Sequence, residues 1–131
     1  MGFGNALAEH IDDALEVNTI IVKDGNRTFI FISIDVLFIG DLLKKEILTF
    51  LKSKKIIDKK FPEDNLIFSA THNHQAPACD PEKPGLGLFD QSFYNQVKNY
   101  TIDTIKEAIS SKFINVRLEY IEANTDSLIV N

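Results

Sequence analysis

Two histidines separated by one residue are the feature of this sequence that could do chemistry. His72 and His74 lie in the segment FSATHNHQAP, residues 68–77. In an extended chain, side chains at positions i and i+2 point to the same side, so the two imidazoles can converge on one metal ion or one anion. Neutral imidazole is a common zinc ligand. The spacing therefore indicates a metal- or anion-binding pair, with a structural or incidental pair as the alternative.

The segments around the pair favour a functional role. Residues 66–70, LIFSA, are typical of a short buried strand, and ligands of open α/β sheets collect at the carboxyl ends of strands. Residues 71–89 contain three prolines and two glycines, which excludes long regular elements. Long ordered loops are more often functional than connective. The small residues Ser69, Ala70 and Ala76 leave room around the imidazoles.

A catalytic zinc site needs more than two histidines, because such zinc usually takes three protein ligands and a water. The candidates for a third ligand are Asp35, Cys79, Asp80 and His10. Asp35 ends a predicted buried strand, where a carboxylate is costly unless it is paired or bound to a metal. Its alternative role is to cap a helix or order a loop. For Cys79 a small apolar filler is the favoured interpretation, and for His10 a surface residue.

The elements that hold the pair follow from the pattern of apolar residues. Residues 16–23 and 28–35 flank the turn Asp24-Gly25-Asn26 and predict a β-hairpin. The second run is apolar at every position from 29 to 32, which predicts a strand buried on both faces, with layers above and below the sheet.

Two helices and a last strand complete the predicted order. Asp41 can cap the first helix, and Asp90 or Ser92 the second. The apolar residues at helical spacing are Leu43, Ile47, Phe50 and Leu51 in the first helix and Phe93, Val97, Tyr100, Ile105 and Ala108 in the second. Residues 113–123 alternate between apolar and polar, which predicts a strand with one wet face. The fold class is therefore α/β, a mixed β-sheet covered by helices in the order β-β-α-β-α-β, in a single domain over residues 1–131.

Length and composition exclude several classes of protein. A chain of 131 residues suits one domain with a core, and its net charge of −5 gives no indication of nucleic-acid binding. No run reaches the roughly 18 to 20 apolar residues that a membrane span needs. The single cysteine, Cys79, excludes an internal disulfide and permits a reducing compartment. With no recognisable signal peptide, a cytoplasmic location is favoured.

Residues 69–77, SATHNHQAP, resemble the Gly-Thr-His-Thr-His-Ser-Gly-Pro motif of the neutral/alkaline non-lysosomal ceramidases. Residues 1–4, MGFG, resemble the glycine-rich turn near the N-terminus of that family, and residues 31–35, FISID, resemble its Val-Ser-Ala-Asp strand end. Residues 129–131, IVN, resemble the start of its Asn-Arg segment. The resemblance covers nearly the whole chain but only the early part of the family's catalytic domain, so we expect an N-terminal fragment of a larger domain.

The resemblance implies a zinc amidase that cleaves ceramide into sphingosine and a fatty acid. By similarity, His72 matches a zinc ligand, and His74 matches a histidine that faces the substrate and takes part in catalysis. Gly2 matches a backbone position that lines the site. The family's further ligands, another His, a Glu and a Tyr, lie downstream of this chain, so we expect the isolated chain to be inactive. Gln75 and Ala76 replace the motif's Ser-Gly pair, so a more soluble amide or ester would also fit.

Two other functions remain open on the sequence alone. A non-catalytic α/β binding or assembly module would have both imidazoles buried and hydrogen-bonded to the backbone. A different metallohydrolase would share its site between subunits, with Asp35 or Cys79 close to His72. The oligomeric state does not follow from the sequence.

Overall fold

A computed structural model describes residues 13–122 of the chain, which form a three-stranded sheet and two α-helices. The elements in chain order are β1 (Val17–Asp24), β2 (Arg27–Ile34), α1 (Asp41–Ser53), β3 (Leu66–Ala70) and α2 (Gln91–Ser110). Short 3₁₀ turns cover Glu63–Asn65 and Pro84–Leu86. Three residues of the sequence analysis that bear on function, Gly2, His10 and Asn131, lie outside the described residues.

The sheet is mixed, as predicted, with the strand order β1-β2-β3. β1 and β2 are antiparallel and meet at a tight turn in which Gly25 has a φ of 57°. Glycine suits this turn because it adopts positive φ without a steric penalty. β2 and β3 are parallel, with Ile30 opposite Leu66 and Ile34 opposite Ala70. The carboxyl ends of β2 and β3 therefore lie side by side.

Both helices pack on the same face of this sheet and enclose the core. Alternate residues of β2 supply the centre of that core, because successive side chains of a strand point to opposite faces. The fully buried contributors from β2 and the two helices include Ile30, Ile32, Ile34, Leu43, Ile47, Leu51 and Ile105. The α/β class, the mixed sheet and the helical cover are thus confirmed.

The opposite face of the sheet carries a row of apolar side chains. Ile20, Phe31 and Ile67 lie directly opposite one another on the three strands, and all three are exposed. The prediction that β2 is buried on both faces is therefore wrong for the part of the chain that the structure covers. An uninterrupted apolar run indicates a strand that can be covered twice, but α1 and α2 both lie on one side.

The predicted last strand is not formed within residues 113–122, so the observed order is β-β-α-β-α. The alternating apolar residues of this segment, Ile114, Val116, Leu118 and Tyr120, are between 63% and 85% exposed. A strand with alternating apolar and polar residues is stable only when its apolar face is buried. No element within residues 13–122 covers the apolar side chains of this segment, which explains why the predicted strand does not form there.

The helix boundaries agree with the predicted caps in one case. Asp90 is the N-cap of α2, and its Oδ1 accepts a hydrogen bond from the backbone N–H of Phe93 at 2.9 Å. In α1 the N-cap is Gly40, and Asp41 is the first helical residue. The spacing predicts Tyr100 on the apolar side of α2, but Tyr100 is exposed because the buried stripe passes through Tyr94, Val97 and Thr101.

Within residues 13–122, neither helix combines the length and the apolar character needed to cross a membrane.

Candidate metal centre

The histidine pair lies immediately beyond the carboxyl end of β3. The backbone pairing between β3 and β2 continues past the ends of both strands. The N–H of Thr71 donates to the carbonyl of Ile34 at 3.1 Å, and the N–H of Asn73 donates to the carbonyl of Val36 at 3.2 Å. Segment 71–73 is therefore held against the connection that leads from β2 to α1. This is the edge of the sheet at which the sequence predicts a ligand site.

His72 is the more firmly oriented of the two histidines. Its Nδ1 lies 3.0 Å from the carbonyl oxygen of Leu37 in the β2–α1 connection. A carbonyl oxygen only accepts hydrogen bonds, so Nδ1 carries the proton and donates. In the neutral imidazole the other nitrogen, Nε2, then keeps its lone pair. The contact thus defines which ring nitrogen can bind a metal ion.

The imidazoles of His72 and His74 lie close together, with ring centroids 4.9 Å apart and ring planes inclined at 79°. Both residues are exposed. The predicted cause of this proximity was an extended chain, and that cause is wrong. His72 has a φ of 62°, in the left-handed region, so a local turn brings the two rings together.

Asp35 orders the loops beside the pair, which is the alternative role that the sequence allows for it. Its Oδ1 accepts a hydrogen bond from the hydroxyl of Thr71 at 2.9 Å, and its Oδ2 accepts one from the backbone N–H of Glu16 at 3.0 Å. The carboxylate therefore joins the residue before His72 to the residue before β1. With both oxygens engaged, Asp35 holds neighbouring backbone in place.

Cys79 packs in the hydrophobic core, as its filler interpretation predicts. Burial, with a smaller contribution from the charge of Asp80, raises the pKa of the Cys79 thiol to about 11. In residues 13–122 no group of three or more His, Cys, Asp or Glu side chains is arranged to hold a metal ion. The structure brings His72 and His74 together and does not add Asp35, Cys79 or Asp80 to them as a third ligand.

Two contacts around the site were missed by sequence reasoning. The carbonyl of Leu37 has no sequence signature, because every residue carries a backbone acceptor. Asp80 lies against Gly40 at the start of α1, where a glycine next to a predicted helix start was the only available signal.

Two cavities of the described part lie away from the histidines. One, of about 400 Å³, is at the hairpin end of the sheet and includes Ile21, Phe61 and Phe113 in its lining. The other, of about 630 Å³, lies between the helices and includes Glu46 and Lys98. The pair itself faces outward at the opposite end of the strands from the hairpin.

The donor chemistry of the pair fits zinc. Zinc-binding histidines almost always donate their second ring N–H to a carbonyl, a carboxylate or a water, which fixes the tautomer and the ring orientation. His72 already makes such a contact with Leu37. His72 is thus prepared to present Nε2 to a metal ion, and the exposed ring of His74 lies beside it.

Comparison with known proteins gives one family. No solved structure shows a significant match to this chain. The family model described as neutral/alkaline non-lysosomal ceramidase, N-terminal, matches residues 3–130, which is nearly the whole chain. The matched range includes the strand end, the histidine pair and the loop that follows them. On this match the chain belongs to the neutral/alkaline non-lysosomal ceramidase family and represents its N-terminal region.

Proposed function

We propose that this chain carries part of the active site of a zinc-dependent, ceramidase-like amide hydrolase. The reaction is the addition of water to an N-acylsphingosine, or to a related amide, which yields an amine and a fatty acid. Family membership supports a ceramidase-like hydrolase that acts on a lipid amide. The observation that supports zinc is the hydrogen bond from His72 Nδ1 to Leu37, because it leaves Nε2 free to coordinate.

The two histidines have different roles in this proposal. His72 is the metal ligand, since its ring is oriented by a backbone carbonyl. His74, whose ring centroid is 4.9 Å from that of His72, lies on the substrate side and hydrogen-bonds the reacting amide through an imidazole nitrogen. Zinc, when bound, supplies the Lewis acid that activates water near neutral pH and polarises the amide carbonyl.

The site is completed by residues outside 13–122. In this proposal the described part supplies one of the three protein ligands that a catalytic zinc usually takes, His72, and no group of three possible ligands lies within residues 13–122. We propose that residues 1–131 are a single domain and the first part of a larger catalytic domain that supplies the rest. Gly2 lines the site through its backbone in this proposal.

The alternatives receive less support. A binding or assembly module with structural histidines requires both imidazoles to be buried, whereas His72 and His74 are exposed. A site shared between subunits that uses Asp35 or Cys79 is disfavoured because the Asp35 oxygens accept hydrogen bonds and the Cys79 thiol is buried with a raised pKa.

Zinc titration of the purified chain by calorimetry tests the proposal. The informative variant is His72→Asn, because asparagine tolerates the left-handed backbone at this position better than most residues do and removes the imidazole. We expect the substitution to weaken zinc binding by about tenfold or more, given that even the partners of metal-binding histidines affect affinity by roughly 10- to 100-fold.

The matched control is Gln75→Ala, which changes an exposed neighbour and should leave the affinity unchanged. Equal zinc affinity in the wild-type chain and in His72→Asn would show that His72 is not a ligand. The proposal of a zinc site at the pair would then fail.

A further inference from the structure

The loop that follows the histidine pair carries a buried carboxylate with an unusual environment. Asp80 is 4% exposed, six positions after His74 in the chain. Its Oδ1 accepts a hydrogen bond from the backbone N–H of Glu82 at 2.8 Å. Its Oδ2 is buried without a hydrogen-bond partner in the structure. Buried polar atoms without partners are rare and costly, so this placement needs a physical reason.

Asp80 occupies the space that a side chain at Gly40 would fill. A Cβ atom built on Gly40 would lie 2.4 Å from Asp80 Oδ2, 2.7 Å from Cγ and 2.9 Å from Oδ1. The φ of Gly40 is −80°, a value that any residue adopts, so backbone conformation does not require glycine here. The close approach of the carboxylate does.

The contact also places a negative group at the start of a helix. Gly40 is the N-cap of α1 and has no side chain that could accept hydrogen bonds from the free N–H groups of the first turn. A carboxylate near a helix N-terminus is stabilised by the helix dipole. Asp80 makes no hydrogen bond to α1, since its Oδ1 accepts from Glu82 and its Oδ2 has no partner, so the helix dipole is the favourable interaction between Asp80 and this helix.

The same connection between β2 and α1 holds His72. Leu37, whose carbonyl accepts the hydrogen bond from His72 Nδ1, lies three residues before Gly40. The connection is thus contacted at Leu37 by the histidine segment and at Gly40 by the loop after it. Between these points, the Lys83 ammonium lies 5.9 Å from the centre of the Phe38 ring.

We propose that Asp80 is a positioning residue for the His72 site. By holding Gly40, it holds the β2–α1 connection at the distance at which the Leu37 carbonyl meets His72 Nδ1. Asp80 does not touch the metal in this proposal and acts through the tautomer and orientation of His72. The inference rests on the proposed role of His72 for its effect on zinc, but the effect on the His72 ring is independent of that role.

The test combines Asp80→Ala and Gly40→Ala in a double-mutant cycle on the full chain. Nitrogen NMR of the imidazoles, at a pH where they are neutral, reports the His72 tautomer without any metal, and zinc titration reports affinity. We expect each single variant to lose the preference for the Nδ1-protonated tautomer and to weaken zinc binding by about tenfold. The double variant should be no worse than Asp80→Ala alone, because the clash at Gly40 is then absent.

Asp64→Ala is the matched control, since Asp64 is exposed and lies before β3, at the opposite end of that strand from the pair. Asp80→Asn, which keeps the volume but removes the charge, replaces Asp80→Ala if that variant does not fold. An unchanged His72 tautomer in Asp80→Asn and in Gly40→Ala would overturn the inference. If the tautomer changes but the wild-type chain shows no His72-dependent zinc binding, the proposed function fails while the positioning role stands.

Discussion

His72 combines a costly backbone conformation with a defined ring contact. A non-glycine residue in the left-handed region costs about 1–3 kcal/mol, and a neutral hydrogen bond such as that to Leu37 returns about 0.5–1.5 kcal/mol. Residues held in such conformations concentrate at functional sites. The conformation of His72 is therefore consistent with a residue that is selected for its ring rather than for its fit to the turn.

Cys79 provides a prediction that depends on pH. Because burial raises the pKa of its thiol to about 11, only about one thousandth of the folded protein carries a thiolate near pH 8. The thiolate is the reactive form. We therefore expect Cys79 to react with iodoacetamide far more slowly in the folded chain than in concentrated guanidinium chloride, as measured by mass spectrometry over time.

The raised pKa of Cys79 also makes the stability of the fold depend on pH. The pKa of Cys79 in the folded chain is above its ordinary value of 9.0. Its contribution to the free energy of unfolding is therefore fully present below about pH 9 and is lost as the pH rises through about 11.

In the iodoacetamide experiment, equally fast reaction of the thiol with and without guanidinium chloride would show that the placement of Cys79 in the core is wrong.

The sequence predicts the proximity of the two imidazoles better than the contacts around them. The structure places the rings of His72 and His74 together, although a local turn at His72 brings them there instead of an extended chain. The contacts with Leu37 and Gly40 could not be predicted, because one uses a backbone carbonyl and the other joins segments that are forty residues apart in sequence. Such contacts depend on tertiary packing and leave no local pattern.

At the scale of elements, the two faces of the sheet differ in what they contribute to stability. Ile32 of β2 faces the helices and is 2% exposed, whereas Ile20 of β1 is on the open face and is 65% exposed. We expect Ile32→Ala to lower the free energy of unfolding by about 2–5 kcal/mol, because it removes buried methyl groups and leaves a cavity. Ile20→Ala should lower it by less than about 1 kcal/mol.

Urea denaturation followed by circular dichroism measures both changes, and each variant serves as the control for the other since the substitution is the same. A large loss for Ile20→Ala would mean that the open face is buried in solution. The row formed by Ile20, Phe31 and Ile67 would then be covered by another part of the protein or by a second copy.

The elements themselves followed closely from local sequence. The hairpin around Gly25, the helix that contains Ile47 and the cap at Asp90 all follow from turn residues, apolar spacing and a capping side chain. The prediction of a strand over residues 113–123 is wrong for the described part of the segment. An alternating pattern indicates that one face must be buried, but it does not show that another element is present to bury it. The prediction that β2 is buried on both faces is wrong for the same reason.

At the scale of the whole molecule, residues 13–122 form one sheet with helices on one side and a histidine pair at the carboxyl edge. The family model matches residues 3–130, which include this unit, and assigns the chain to the N-terminal region of the neutral/alkaline non-lysosomal ceramidase family. Its exposed apolar face and its two adjacent imidazoles agree with the proposal that this unit is the first part of a larger catalytic domain.

The most direct test of the central claim is the zinc K-edge X-ray absorption spectrum of the zinc-loaded chain. The account predicts nitrogen and oxygen ligands at about 2.0–2.1 Å with the multiple scattering typical of imidazole, and the loss of imidazole scattering in His72→Asn. A sulfur ligand near 2.3 Å would instead indicate Cys79. That result, or imidazole scattering that is unchanged in His72→Asn, would contradict the assignment of His72 as the zinc ligand.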